Sequence, residues 1–154
     1  MAVSFETIND AIAADLDANV ASLTFIQSYD ELTEGMNDTP TAQIYWESLF
    51  QSSGTTTTQK TFGSSVNVQE VEITFHIDVY PRQRSHLDED FAALLPLATA
   101  IHERFQAVVA AGPDYFATGV KAIRSIEARR VIFEYDDSNL KHMGIRFTLI
   151  LQVV

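Results

Sequence analysis

Cysteine is absent from the 154 residues, which excludes disulfides, iron–sulfur clusters, thiolate zinc sites and a thiol nucleophile. Lys and Arg are absent from the first 59 positions. No apolar run approaches the roughly 18 residues needed to span a bilayer, so no membrane partner is expected. The N-terminal MAVSFETIND has neither a basic region nor an apolar stretch of signal-peptide type; folding and assembly are expected in the cytoplasm. Six scattered glycines form neither GxGxxG nor GxxxxGK[ST]. GxSxG and HExxH are missing as well, and with them the usual signatures of phosphate binding, serine hydrolysis and zinc proteolysis.

What remains is an acidic chain of single-domain length, 1–154, with a net charge of −11. Such a balance opposes tight nucleic-acid binding, which needs Lys and Arg to neutralise phosphates. The charge is unevenly spread: residues 1–59 carry −9 (Glu6, Asp10, Asp15, Asp17, Asp30, Glu31, Glu34, Asp38, Glu47), and residues 60–154 carry −2 with all ten bases. One reading is a solvated acidic face. The other is a side that repels polyanions or meets the basic side of a neighbouring copy.

Phe5, Ile8, Ile12 and Leu16 recur at three- and four-residue spacing behind Ser4, which predicts a helix from Phe5 to about Asn19 with Ser4 as N-cap. Leu23–Tyr29 reads as a short strand and Asp30–Pro40 as loop. Ala42, Ile44 and Trp46 alternate with polar residues in a strand toward Phe50, with Trp46 expected in the core. The polar stretch Gln51–Ser65 reads as a long hairpin connection, either a binding element or a disordered surface loop. Val71, Ile73, Phe75, Ile77 and Val79 alternate strictly with polar neighbours, so Glu70–Tyr80 is a strand with one core face and one exposed polar face, ended by Pro81. Val66 and Val68 have the opposite parity, which suggests a bulge or a bend, or an outer stretch packed against something else such as another subunit.

Leu87–Ala111 reads as a second helix with a buried stripe of Leu87, Phe91, Leu94, Leu95, Ala98, Ile101, Phe105 and Val108. Acids occupy its first turn, Gly112-Pro113 stops it, and Pro96 should kink it or begin its regular part. Val120–Glu127 and Val131–Tyr135 form one bent strand or two short ones. After turn residues Asp136–Asn139, Met143–Val153 is a clean final strand. The fold class that follows is α+β: a single mixed or antiparallel sheet, helices packed on one face, and a long polar β-hairpin.

Chemistry-bearing groupings are few. His76, Asp78 and His142 would meet at a metal only if their strands were adjacent and in register. His86, Asp88, Glu89 and Asp90 are explained by a helix start. Neither metal, cofactor nor catalytic residues are expected, and the chain is read as a non-enzyme. Arg129-Arg130 and Arg82/Arg84 are too few to hold DNA on so acidic a chain. The residues expected to make contacts with other molecules are Arg129, Arg130, Val66, Val68, Phe62 and Lys60.

Several features together resemble the tail terminator, or tail completion, proteins of long-tailed bacteriophages. They are the amphipathic helix at Phe5–Leu16, the strand ending IYWESLF at Ile44–Phe50, and the polar hairpin. TFHIDVYPR at Thr74–Arg82 then runs into a long helix, and GIRFTLILQV at Gly144–Val153 closes the chain. The resemblance is one of element lengths and alternation over nearly the whole chain, so it assigns no role to any single residue. It implies a homo-hexameric ring in the tail or neck of the virion. Such a ring caps the tail tube protein, stops tube growth and joins the tail to the head connector, while DNA passes through without specific binding. Two alternatives remain: another neck or head–tail connector ring protein, and an unrelated small α+β ligand-binding domain or enzyme.

Overall fold

The computed structural model describes residues 4–32, 40–51, 57–61, 64–68, 71–83, 86–112, 114–116, 118–134 and 141–153. Helix α1 (Phe5–Asn19) starts where Ser4 Oγ accepts a hydrogen bond from the Thr7 amide at 3.2 Å. It presents Ile8, Ile12 and Leu16 to the core, all fully buried. Strand β1 (Phe25–Gln27) is short. It lies parallel to β2 (Thr41–Gln51), which in turn pairs antiparallel with β5 (Val71–Gln83). Helix α2 (Leu87–Ala111) crosses to β6 (Ala122–Glu134), one continuous strand with a register shift between Ile123 and Ser125, and β7 (Lys141–Val153) returns between β5 and β6. The five-stranded sheet has the order β1-β2-β5-β7-β6 and is mixed, with antiparallel pairing throughout except β1–β2.

Both helices lie on one face, α1 over β1 and β2 and α2 over β5 and β7. Ile73, Phe75, Ile77 and Val79 of β5 and Ile145, Phe147, Leu149 and Leu151 of β7 point at them. The period of two in each strand delivers this face, and the antiparallel register sets Phe75 opposite Leu149 and Ile77 opposite Phe147. Phe105 of α2 meets Phe147 edge-on, with ring centroids 5.8 Å apart.

Five expectations are corrected. The polar hairpin carries strands of its own where a loop was one reading: β3 (Thr57–Thr61) and β4 (Ser64–Val68) pair antiparallel as a separate two-stranded sheet. The parity change between Val68 and Val71 is therefore a passage from one strand to another, not a bulge within one. Pro81 does not end β5. The pairing with β7 shifts between Val79 and Arg82, so Tyr80 and Pro81 together face Gly144 at a bulge, where a missing amide is tolerated. Within α2 the buried stripe is Leu94, Leu97, Ile101, Phe105 and Val108, whereas Leu87 and Leu95 are more than half exposed. Leu95 lies about 100° around the helix from Leu94 and faces away from the sheet. Pro96 sits inside α2 without ending it. Ala92 and Pro96 are both exposed, so the carbonyl that loses its donor can be hydrated.

The fifth correction is Trp46. Trp46 keeps the register of Ala42 and Ile44 opposite Phe75, but lies beyond the three residues of β2 that β1 covers, and its indole is 46% exposed at the rim of the helix face, stacked on Phe5 at 5.7 Å. It seals the core edge without entering it.

Candidate assembly surfaces and the polar sheet face

The sheet face away from the helices was expected to be wet, yet several of its polar residues are closed to water. Asp78 is 4% exposed, Tyr80 2% and Gln43 7%. Buried polar groups need partners, and the strand register supplies them. Asp78 of β5 stands directly opposite Arg146 of β7 on one side and Gln43 of β2 on the other. Arg146 donates from Nε to Asp78 Oδ1 at 2.8 Å and from Nη2 to Oδ2 at 3.1 Å, a bidentate pair. The Tyr45 hydroxyl donates to Asp78 Oδ2 at 2.7 Å and accepts from Arg146 Nη2 at 3.1 Å. One row along, Tyr80 donates to Gln43 Oε1, and Gln43 Nε2 donates to Gln27 Oε1, tying the short β1 to the sheet.

This network holds its protons tightly. Burial, then the hydrogen bond to the Asp78 carboxylate, pushes the Tyr45 phenol well above its ordinary value, and the same carboxylate raises Arg146. Both groups keep their protons near neutrality, as partners of the Asp78 carboxylate. His76 shares the face, with Nδ1 3.6 Å from Glu47 Oε2. Asp78 is engaged by Arg146 and Tyr45. His142 pairs with Gln83, six register steps from the His76–Thr148 pair and hence about 20 Å away along the strand. The three candidate metal ligands therefore do not converge.

Burial lowers the pKa of both His76 and His142, and the nearby Arg146 guanidinium lowers His76 further. The unfolded chain thus takes up protons first on acidification. Stability contributed by the neutral imidazoles is complete above the unfolded value of about 6.5 and is lost as pH falls from there toward the depressed folded values. Denaturant midpoints measured at about pH 7.5 and 5.5 should drop on acidification, and the drop should shrink in a His76→Gln/His142→Gln variant. An equal drop in both proteins would assign it to carboxylates instead.

The contact candidates fall on the sheet edges. Arg129 and Arg130 lie on β6, whose outer edge has no strand partner along its thirteen residues among those described. They point to opposite faces. Arg129 stands opposite Arg146 on the polar face and makes an exposed pair with Glu127; Arg130 stands opposite Ile145 and lies over the Phe91 ring at 5.5 Å. Val66, Val68 and Lys60 belong to the two-stranded β3–β4 sheet, away from these arginines in topology, and Phe62 lies outside the described residues.

The opposite edge of the sheet is acidic and partly open. β1 covers β2 only from Thr41 to Gln43, so Ile44–Gln51 has no outer strand partner among the described residues. Exposed acids Glu6, Asp10, Asp17, Asp30 and Glu31 cluster on α1 and the segment after β1. Asp15 is answered internally by a bidentate Arg104 at 2.6 and 2.9 Å. Among these acids lie exposed apolar side chains, Phe25, Tyr29, Trp46, Leu49 and Phe50, which the alternation pattern alone did not disclose. An acidic, apolar edge and an arginine-bearing edge thus lie at the two ends of one sheet.

No protein-family model and no curated protein matches the chain. The functional reading accordingly rests on the residues and on the resemblance of element order. Among the described residues no helix is long and apolar enough to cross a membrane.

Proposed function

We propose that the protein is a structural, non-enzymatic subunit of a long-tailed bacteriophage, a tail terminator that assembles into a hexameric ring. The ring caps the tail tube, halts its polymerisation and joins the tail to the head connector. The observation that supports this most is the placement of unlike surfaces on the two open edges of one sheet, acids with exposed aromatics at β1–β2 and arginines at β6. Unpaired strand edges invite association. A contact between two different patches is heterologous, and when its rotation closes it generates a ring. The resemblance supplies the tail, and the acidic balance suits a ring through which DNA moves without sticking.

A second reading, a neck or head–tail connector ring, draws on the same surfaces, and the partner that the ring caps separates the two. For the ring itself, sedimentation of the purified protein should reveal closed oligomers that weaken as salt screens the charges. Arg129→Glu with Arg130→Glu should reduce association by roughly tenfold or more. Monomer stability should change little, because both side chains are at the surface. Association indifferent to salt and to this reversal would remove the charge contact from the account.

A further inference from the structure

Phe5, Tyr29 and Trp46 wall a cleft of about 170 Å3 at the acidic edge, with Phe75 and Asn9 also in its lining and Glu6 at its rim. Phe5 and Trp46 hold each other nearly parallel, 13° apart, while Tyr29 and Trp46 remain 44% and 46% exposed. Asn9 is the unusual member. It is 2% exposed, and its Nδ2 donates to Ser28 Oγ at 2.7 Å. The Ser28 hydroxyl is already committed as a donor to Asp10 Oδ1. Ser28 can therefore only accept from Asn9, which fixes the orientation of the carboxamide. Asn9 Oδ1 is left buried and without a hydrogen-bond partner among the described residues. A buried acceptor without a donor is costly, and the side chain that carries it also lines this cleft, with its aromatic walls and Glu6 at the rim.

Aromatic faces, negative charge and an unmet acceptor together describe a receptor for a cation that also donates hydrogen bonds. A guanidinium fits all three requirements, being planar, stackable and acceptor-free. We propose that this cleft receives an arginine side chain from β6 of a second copy, Arg129 being the donor, so that its guanidinium stacks on Trp46 and Tyr29 and donates to Asn9 Oδ1. Charge complementarity selects this occupant. The first 59 residues offer no base, Arg130 is engaged over Phe91, and the Arg129 side chain is 75% exposed, its one ion pair among the described residues being a surface pair to Glu127, of the kind that contributes little. The inference rests on the ring reading and names the contact by which the ring closes.

Trp46 is the sole tryptophan, so its emission reports the cleft directly. Emission and sedimentation of the full chain are followed together over a concentration series, for the wild type, Arg129→Ala and Tyr29→Ala. Assembly of the wild type should shift Trp46 emission. Both variants should associate about tenfold more weakly, with the emission change displaced to the same higher concentration. Arginine amide should shift the emission of dilute wild type beyond equimolar sodium chloride, and Tyr29→Ala should blunt this. Rings that form with unchanged Trp46 emission, or an Arg129→Ala variant that assembles like the wild type, would overturn the arginine contact while leaving the ring intact. A chain that stays monomeric at every concentration would overturn the ring reading and this contact with it.

Discussion

Phe75→Ala is expected to lower the unfolding free energy by about 3–5 kcal/mol, the range for an aromatic-to-alanine change in a close-packed core. Phe75 is fully buried at the centre of the helix face, opposite Leu149 on β7 and Trp46 on β2. Its neighbours are held by strand pairing on both sides, so the backbone cannot move inward to fill the space, and the cavity term adds to the transfer term. Chemical denaturation with matched m-values reads the loss. Phe75→Leu, which keeps much of the volume, should recover a large part of it. A midpoint unchanged by Phe75→Ala would mean that the ring is not in the core and that the strand phase is wrong.

Asp78→Ala should cost a comparable amount by a different route. Removing one partner of a buried ion pair leaves the other desolvated and uncompensated, typically at about 3–5 kcal/mol. Arg146 retains a third of its side-chain exposure, so water can recover part of the loss, and roughly 2–3 kcal/mol is expected here. Tyr45 loses its acceptor in the same step. Replacing both members, Asp78→Ala with Arg146→Met, should be much less destabilising than the two single changes added together, because no orphaned charge remains. Additive costs would show that the pair is not coupled and that the network on this face stabilises nothing.

Much of the frame could be read from the sequence, because each element carried its own period. The 3.6-residue recurrence of Ile8, Ile12 and Leu16 and the Ser4 cap placed α1, and Gly112, with φ of +93°, marks the end of α2 as a residue without Cβ should. Strict alternation placed the core faces of β5 and β7. What could not be read depended on neighbours that only folding supplies. Asp78 looked like one more wet residue until the register set it against Arg146, and Trp46 looked like core although β1 stops short of covering that part of β2. Arg129 and Arg130 read as one basic pair too small to hold DNA, whereas a strand sends adjacent side chains to opposite faces, so the two act separately. Asn9 carried no sequence signal at all. Its burial follows from sitting beside Ile8 on α1, and its unmet oxygen follows from Ser28 being committed to Asp10.

The central claim, a ring that ends a tail tube, is tested most directly by deleting the gene from the phage genome and measuring tails in the lysate by electron microscopy. The account predicts tails of uncontrolled length, unattached to heads, with normal lengths and joining restored by the protein supplied in trans. Normal-length tails joined to full heads in the deletion lysate would contradict it.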